Sequence, residues 1–438
     1  MADRSTPRPL AVPSGRINRF MRLGAMTAGI AGNMAAGAIG QVGRGSRPDA
    51  RRLLMTPGNI TRIADELARM RGAAMKVGQL MSMDTGDMLP PELSDIMARL
   101  RDQANFMPPK QLKAVLGVNW PADWLKHFAR FDVQPIAAAS IGQVHRAQLK
   151  DGRDVAIKVQ YPGIARSIDS DVANVGGLVK MSGLIPKGFD IAPYMEEARK
   201  QLHEETDYAA EGAHMQRFAG LLKGSEIFEV PTYHADWSTA QILTMSYLPG
   251  RAIETAGEAQ EAERDRIAAA LIELTLREVF EFGVTQSDPN FANFRYNPDR
   301  GRINLLDFGA TRVLDPALTE GYRQLMRAGI AQNADALRAA ALGMRFITGE
   351  SPFDDQILAM IARVFEAVCE REVFDFTDRT LTDEMNQRGK ALAEAGYLPP
   401  PVPMDVLYLQ RKFGGMFLLC NRLRSKAPVR ALLERHLS

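Results

Sequence analysis

The stretch SDPNFANFRYNPDRGRINLLDFGATR, residues 287–312, decides the fold. It opens on a loop carrying an acid, Asp288, and an amide, Asn293, five positions apart. NPDRGR (297–302) is a cluster of turn residues, and INLLDF (303–308) reads as the second strand of a hairpin around it. That strand delivers a second acid, Asp307, 14 residues after Asn293. Upstream, the run Arg266–Phe282 reads as a buried helix, and everything beyond Pro316 reads as helical. Further upstream, QVHRAQL (143–149), the bend KDGR (150–153) and DVAIKVQY (154–161) form another predicted hairpin. Strands are expected near Ile227–Pro231 and over AQILTMSYL (240–248), with a helix over Tyr194–Leu221. The first 130 residues give only helical signals: Asn59 as an N-cap for a helix reaching Met83, then Glu92–Arg101 and Pro109–Leu116.

The order of four short motifs carries the chemistry. Val155-Ala156-Ile157-Lys158 matches the strand whose lysine meets nucleotide phosphates in protein kinases; alone it reads equally as an edge lysine. Asp288 to Asn293 has the D-x-x-x-x-N spacing of a kinase catalytic loop, with the acid facing the attacking group and the amide on a metal ion. Asp307-Phe308-Gly309 matches the element whose carboxylate bridges Mg²⁺ to phosphates. Where a kinase carries a glycine-rich loop, this chain has Ala137-Ala138-Ala139-Ser140-Ile141-Gly142-Gln143, ending 15 residues before Lys158. Methyl groups there stiffen a backbone that glycines would leave free, so nucleotide is expected to be held differently.

The 438 residues are 46% hydrophobic and 24% charged, which excludes a disordered chain, a coiled coil and a multi-span membrane protein. Two cysteines exclude a disulfide scaffold and a Cys-based zinc site, and none of the six histidines sits in a metal-ligand pattern. Net charge is +2, yet residues 1–52 hold nine arginines against two aspartates and leave the rest at about −5. A basic head of this kind suits an anionic surface; with Phe20 as its one aromatic it does not suit nucleic acid. Leu23–Gly43 is uncharged and repeats small residues at Ala28, Gly32, Ala36 and Gly40. Two readings stand: a flexible linker, or a membrane-associated helix whose small-residue stripe admits a homodimer. Four segments result: a basic Gly/Ala-rich head (1–52), a helical extension (53–130), a strand-rich lobe (131–250) and a helical lobe (251–438).

KVGQ (76–79), AAASIGQVH (137–145), VAIK (155–158), EETDYAAEG (204–212), SDPNFAN (287–293) and LLDFGATR (306–312) together resemble the UbiB/AarF family of atypical kinase-like ATPases, and most of all its coenzyme Q branch. The resemblance runs from about Arg16 to the end of the chain. It implies an α+β, protein-kinase-like two-lobed fold with an N-terminal helical extension. Lys158 would contact the phosphates and pair with Glu211; Asp288 would be the catalytic aspartate; Asn293 and Asp307 would ligate Mg²⁺. Ala137, Ala138, Ala139 and Ser140 would form the phosphate loop. Lys76 and Gln79 would sit on a helix over the site's mouth, with Glu205 of the E-x-D motif (Glu205, Asp207) as partner of Lys76. Without the resemblance, that acidic stretch reads as a solvated helix face. The family's usual loop reads H-x-D-P-H-P-G-N; Gln286 and Asn290 replace both histidines here, removing imidazole from the loop. The implied function is an Mg-dependent ATPase supporting ubiquinone biosynthesis, peripheral on the cytoplasmic side of a bacterial inner membrane. Its implied partners are ATP and ADP, lipid-like quinone intermediates and other proteins of that biosynthesis. Two rivals stand beside it: a protein Ser/Thr kinase, and a nucleotide-switched lipid-binding scaffold without turnover.

Overall fold

Alternating apolar residues and a turn of the right chemistry build the first sheet. Asp151 accepts a hydrogen bond from the Arg153 N–H (3.1 Å), fixing the bend between strands Gly142–Leu149 and Asp154–Gln160. The computed structural model describes residues 56, 67, 70–85, 106–181, 190–397, 399–400 and 402–437. The expected N-cap Asn59, the helix Glu92–Arg101 and the stretch Leu23–Gly43 lie outside the described residues.

The chain divides into two units: residues 1–213 with 232–247, and residues 214–231 with 248–438. In the first, an antiparallel sheet runs in the order Phe128–Phe131, Gly142–Leu149, Asp154–Gln160, Ile242–Ser246, and Ala137–Ala138 pairs with the second of these strands. Register places Lys158 between Val144 and Leu243. An aromatic core packs on this sheet: the Trp120 ring lies 5.3, 5.5 and 5.2 Å from those of Trp124, Phe128 and Trp237. Helices Arg71–Thr85, Ile164–Met181 and Ala192–Glu205 pack on one another. The helix expected over Tyr194–Leu221 is two helices, Ala192–Glu205 and Tyr208–Leu221. Thr206 folds its hydroxyl back on the His203 carbonyl (2.7 Å), and Asp207 caps the second helix through the Ala210 N–H (2.9 Å), so side chains take over from the helical ladder.

In the second unit, the predicted hairpin forms as Phe294–Asn297 and Arg302–Leu305, ending three residues before the expected Phe308. Its sheet order is Phe228–Glu229, Arg302–Leu305, Phe294–Asn297, Arg251–Ala252. A second pairing, Val284–Gln286 with Thr311–Val313, joins the strand before Asp288 to the strand after Gly309. The helix before it begins at Glu261 rather than Arg266 and passes at Glu278–Phe282 into a π-helical turn. The helical remainder is interrupted by a two-stranded pairing of Phe374–Asp375 with Lys426–Ala427. Val279, Leu314, Tyr322, Met344, Val406 and Leu409 form one of its apolar clusters. No helix among the described residues is long and apolar enough to cross a membrane.

Candidate active site

In the first unit, strand periodicity puts Lys158 and Gln160 on one face. The Gln160 amide donates to the Thr206 carbonyl (2.7 Å), and the Lys158 ammonium lies 2.9 and 3.0 Å from the two oxygens of Glu211. Glu211 sits in the first turn of Tyr208–Leu221, where the helix dipole favours a carboxylate. The two side chains are 10% and 1% exposed, so the pair is dry. Asp207, the second acid of the E-x-D motif, is the cap of that same helix and thereby fixes Glu211. The first acid, Glu205, accepts from Ser140 Oγ (2.5 Å) and forms an ion pair with the buried Lys76. One carboxylate therefore ties the alanine loop to the helix carrying Lys76. Gln79 lies in that helix, and its side chain is outside the described residues. In the loop, Ala137 and Ala138 pair with Val144 and Gln143, and the Ala139 N–H donates to the Gly142 carbonyl (2.8 Å). The Ala139 N–H thus serves the turn rather than a phosphate.

His145 is a core residue. Its Nδ1 lies 2.8 Å from the Asp132 carbonyl, which can only accept, so Nε2 accepts from the Gln143 amide (2.8 Å). Burial holds its pKa below the ordinary histidine value. Burial also pushes the Cys420 thiol up to about 12, which leaves it inert as a nucleophile.

In the second unit, Asn293 Nδ2 donates to the Asp288 carboxylate (3.3 Å) and carbonyl (3.2 Å), and Asn290 caps the turn between them. The Leu306 N–H donates to the Asn293 carbonyl (3.0 Å), holding Asp307 beside the loop, and the Gly309 N–H donates to Asp307 Oδ1 (3.0 Å). Ser287 bonds the Ala310 carbonyl through both its N–H and its hydroxyl. Asn293 and Asp307 line one cavity of about 10 Å³ together with Gln286, Glu278, Lys412 and Phe308. The Gln286 amide is buried there without a hydrogen-bond partner among the described residues. The donor set fits Mg²⁺: with Nδ2 committed to Asp288, Asn293 offers its amide oxygen, a hard donor like the Asp307 carboxylate.

Residues 99–341 match the ABC1 atypical kinase-like domain. The chain belongs to this family. It is 36% identical to the mitochondrial atypical kinase COQ8 of Saccharomyces cerevisiae over 96% of this chain and 84% of that protein. It is 33% identical to the mitochondrial atypical kinase COQ8B of Danio rerio over 96% of this chain and 68% of that protein. Among solved structures, Rv3197 of Mycobacterium tuberculosis, in complex with erythromycin, is similar with a TM-score of 0.61 and 25% identity over 84% of this chain and 93% of that one. The ABC1-family chain is thus an atypical kinase or ATPase with a kinase-like α+β fold, and its domain implies nucleotide use.

Three residues of the second unit escaped the sequence reading. Arg411 donates to Asp288 Oδ1 (3.0 Å) from helix Met404–Arg422. Its neighbour Lys412 is buried 3.0 Å from Glu278, which also accepts from the Thr285 hydroxyl (2.7 Å). A Lys inside the apolar run VLYLQRKFGGMFLL (406–419) was the available signal, since an ammonium is rarely buried without a partner.

Proposed function

We propose that this chain is an Mg²⁺-dependent ATPase of the atypical kinase class that supports ubiquinone biosynthesis at an anionic membrane surface, working on or with lipid-like intermediates. Lys158 binds the phosphates and Glu211 keeps its ammonium aimed. Asn293 and Asp307 hold the metal, which when bound neutralises charge on the transferring phosphoryl group. Asp288 orients the attacking hydroxyl or water. Positioning and charge compensation, rather than covalent chemistry by the protein, lower the barrier.

The observation that carries the ATPase reading over protein phosphorylation is the Glu205 tie. It engages Ser140 and Lys76 together, so the Lys76 helix is latched to the phosphate loop where a protein kinase leaves that loop free. The surplus of seven positive charges in residues 1–52 supports the membrane side of the proposal, on the bacterial cytoplasmic face, and the names of the COQ8 relatives support the biosynthetic side. The test is phosphate release from ATP with neutral and with anionic vesicles, on the full chain and on a chain lacking residues 1–52. Stimulation by anionic vesicles that disappears with the head supports the proposal. Equal stimulation of both chains removes the membrane role from the head, and phosphoprotein formed faster than free phosphate replaces hydrolysis with protein phosphorylation.

A further inference from the structure

We propose that Arg411 is a positioning residue for phosphoryl transfer, holding the Asp288 carboxylate in the orientation it needs toward the acceptor; the inference rests on the role given to Asp288 above. Among the described residues, two groups engage that carboxylate. Asn293 Nδ2 reaches Oδ2 at 3.3 Å, a long hydrogen bond, while the Arg411 guanidinium reaches Oδ1 at 3.0 Å and brings full charge. The Asn293 amide alone leaves the carboxylate free to turn about its last bond. The second contact, from the other oxygen, locks it.

Arg411 is itself held by a helix built to approach this loop. Tyr408, Arg411 and Gly415 fall on one face of Met404–Arg422, at spacings of three and four. The Tyr408 ring lies 4.2 Å from the Arg312 guanidinium, on the strand after Gly309. A Cβ added at Gly415 would stand 2.3 Å from Pro289 Cβ, so glycine lets the helix backbone come against the residue next to Asp288. Lys412, 1% exposed, anchors the helix to Glu278 and through it to Thr285, on the strand that leads into the loop. One helix thus supports the strand before Asp288, Asp288 itself, Pro289, and the strand after Asp307. Its charged contact with Asp288 lies 123 residues away in sequence.

Lys158, Asn293 and Asp307 keep their own partners when Arg411 is removed. The expected loss is therefore in turnover, not nucleotide affinity. Full-length parent, Arg411→Ala and Arg411→Gln are compared in phosphate release at saturating MgATP and in equilibrium MgATP binding. We expect Arg411→Ala to lose about 10- to 100-fold in kcat, the scale of a misplaced reacting group, with the Kd for MgATP changed by less than about threefold. Millimolar guanidinium is expected to restore part of the lost kcat in Arg411→Ala and to leave the parent unchanged. A variant as fast as the parent or faster overturns the inference. So does a loss of turnover matched by an equal loss of affinity, or one that guanidinium does not relieve, since either marks a merely structural role. If Arg411→Ala does not fold, Arg411→Gln is judged by the same kcat and Kd split. A parent that turns over no ATP overturns the ATPase reading and this inference with it; an active parent with an unaffected variant overturns the inference alone.

Discussion

Replacing Lys158 by methionine separates what the buried ion pair does for folding from what it does for nucleotide. In the parent, the ammonium sits 2.9 and 3.0 Å from the Glu211 oxygens, and the Glu211 side chain is 1% exposed. Methionine fills similar space but takes the ammonium away from a buried carboxylate. The penalty is capped by the alternative of protonating it: from an ordinary glutamate pKa of about 4.3, and about 1.36 kcal/mol per pH unit, that is about 3.7 kcal/mol at neutral pH. The figure agrees with the roughly 3–5 kcal/mol lost when one partner of a buried pair is removed. For a unit of roughly 200 residues, at about 2–4 °C per kcal/mol, the first unit's Tm falls by about 7–15 °C. Adding Glu211→Gln removes the buried charge and is expected to recover most of that drop. The sign with pH follows: in Lys158→Met the folded chain keeps a proton that the unfolded chain has released, so its stability relative to the double variant falls as pH rises from about 5 to 8. Calorimetric melts of the parent, the single and the double variant at both ends of that range make the test. A single variant melting within about 2 °C of the parent, or a gap to the double variant that does not widen with pH, refutes the reasoning. Both variants are expected to lose ATP turnover alike, because neither has an ammonium for the phosphates.

A Cβ on Gly72 would meet the Ser140 backbone carbonyl at 2.9 Å, so Gly72→Ala is expected to push the Lys76 helix from the alanine loop at a cost of about 1–3 kcal/mol, read as faster proteolysis and a lower Tm. Ala138→Gly loosens a residue paired with Gln143, costing about 0.5–1 kcal/mol and shifting the ratio of ATP to ADP affinity; unchanged affinities would refute the stiff-loop argument. Burial holds the folded His145 pKa below the ordinary value of about 6.5, so acidification to one pH unit below that value costs up to about 1.4 kcal/mol as the unfolded chain takes up a proton. A His145→Gln variant is expected to lose that acid sensitivity in thermal melts, and an unchanged slope would assign it to other groups.

The candidate site residues could be singled out from sequence because each lies in a short local motif with a recognisable chemistry. Lys158 lies within an apolar strand, Asp288 and Asn293 share one loop, and Asp307 follows a hairpin marked by NPDRGR. The break at Thr206 was hidden because EETD is as compatible with a continuous helix as with a stop. Only the Asp207 cap and the Thr206 back-bond decide it, and both depend on which way side chains turn. Arg411, Lys412 and Glu278 were missed for another reason. Their partners are remote in sequence, and nothing in the local pattern of Met404–Arg422 says which loop the helix will meet. Glu205 shows the middle case: pattern alone marks it as a surface acid, the family resemblance pairs it with Lys76, and the coordinates add Ser140 as its second partner.

We propose that Asn293 and Asp307 bring Mg²⁺ to bound ATP. Equilibrium ATP binding to the full chain, with Mg²⁺ and with chelator, tests it most directly when repeated on Asp307→Asn. Magnesium is predicted to tighten binding by about tenfold or more in the parent and by less than about twofold in the variant. The same magnesium dependence in both proteins would contradict the account.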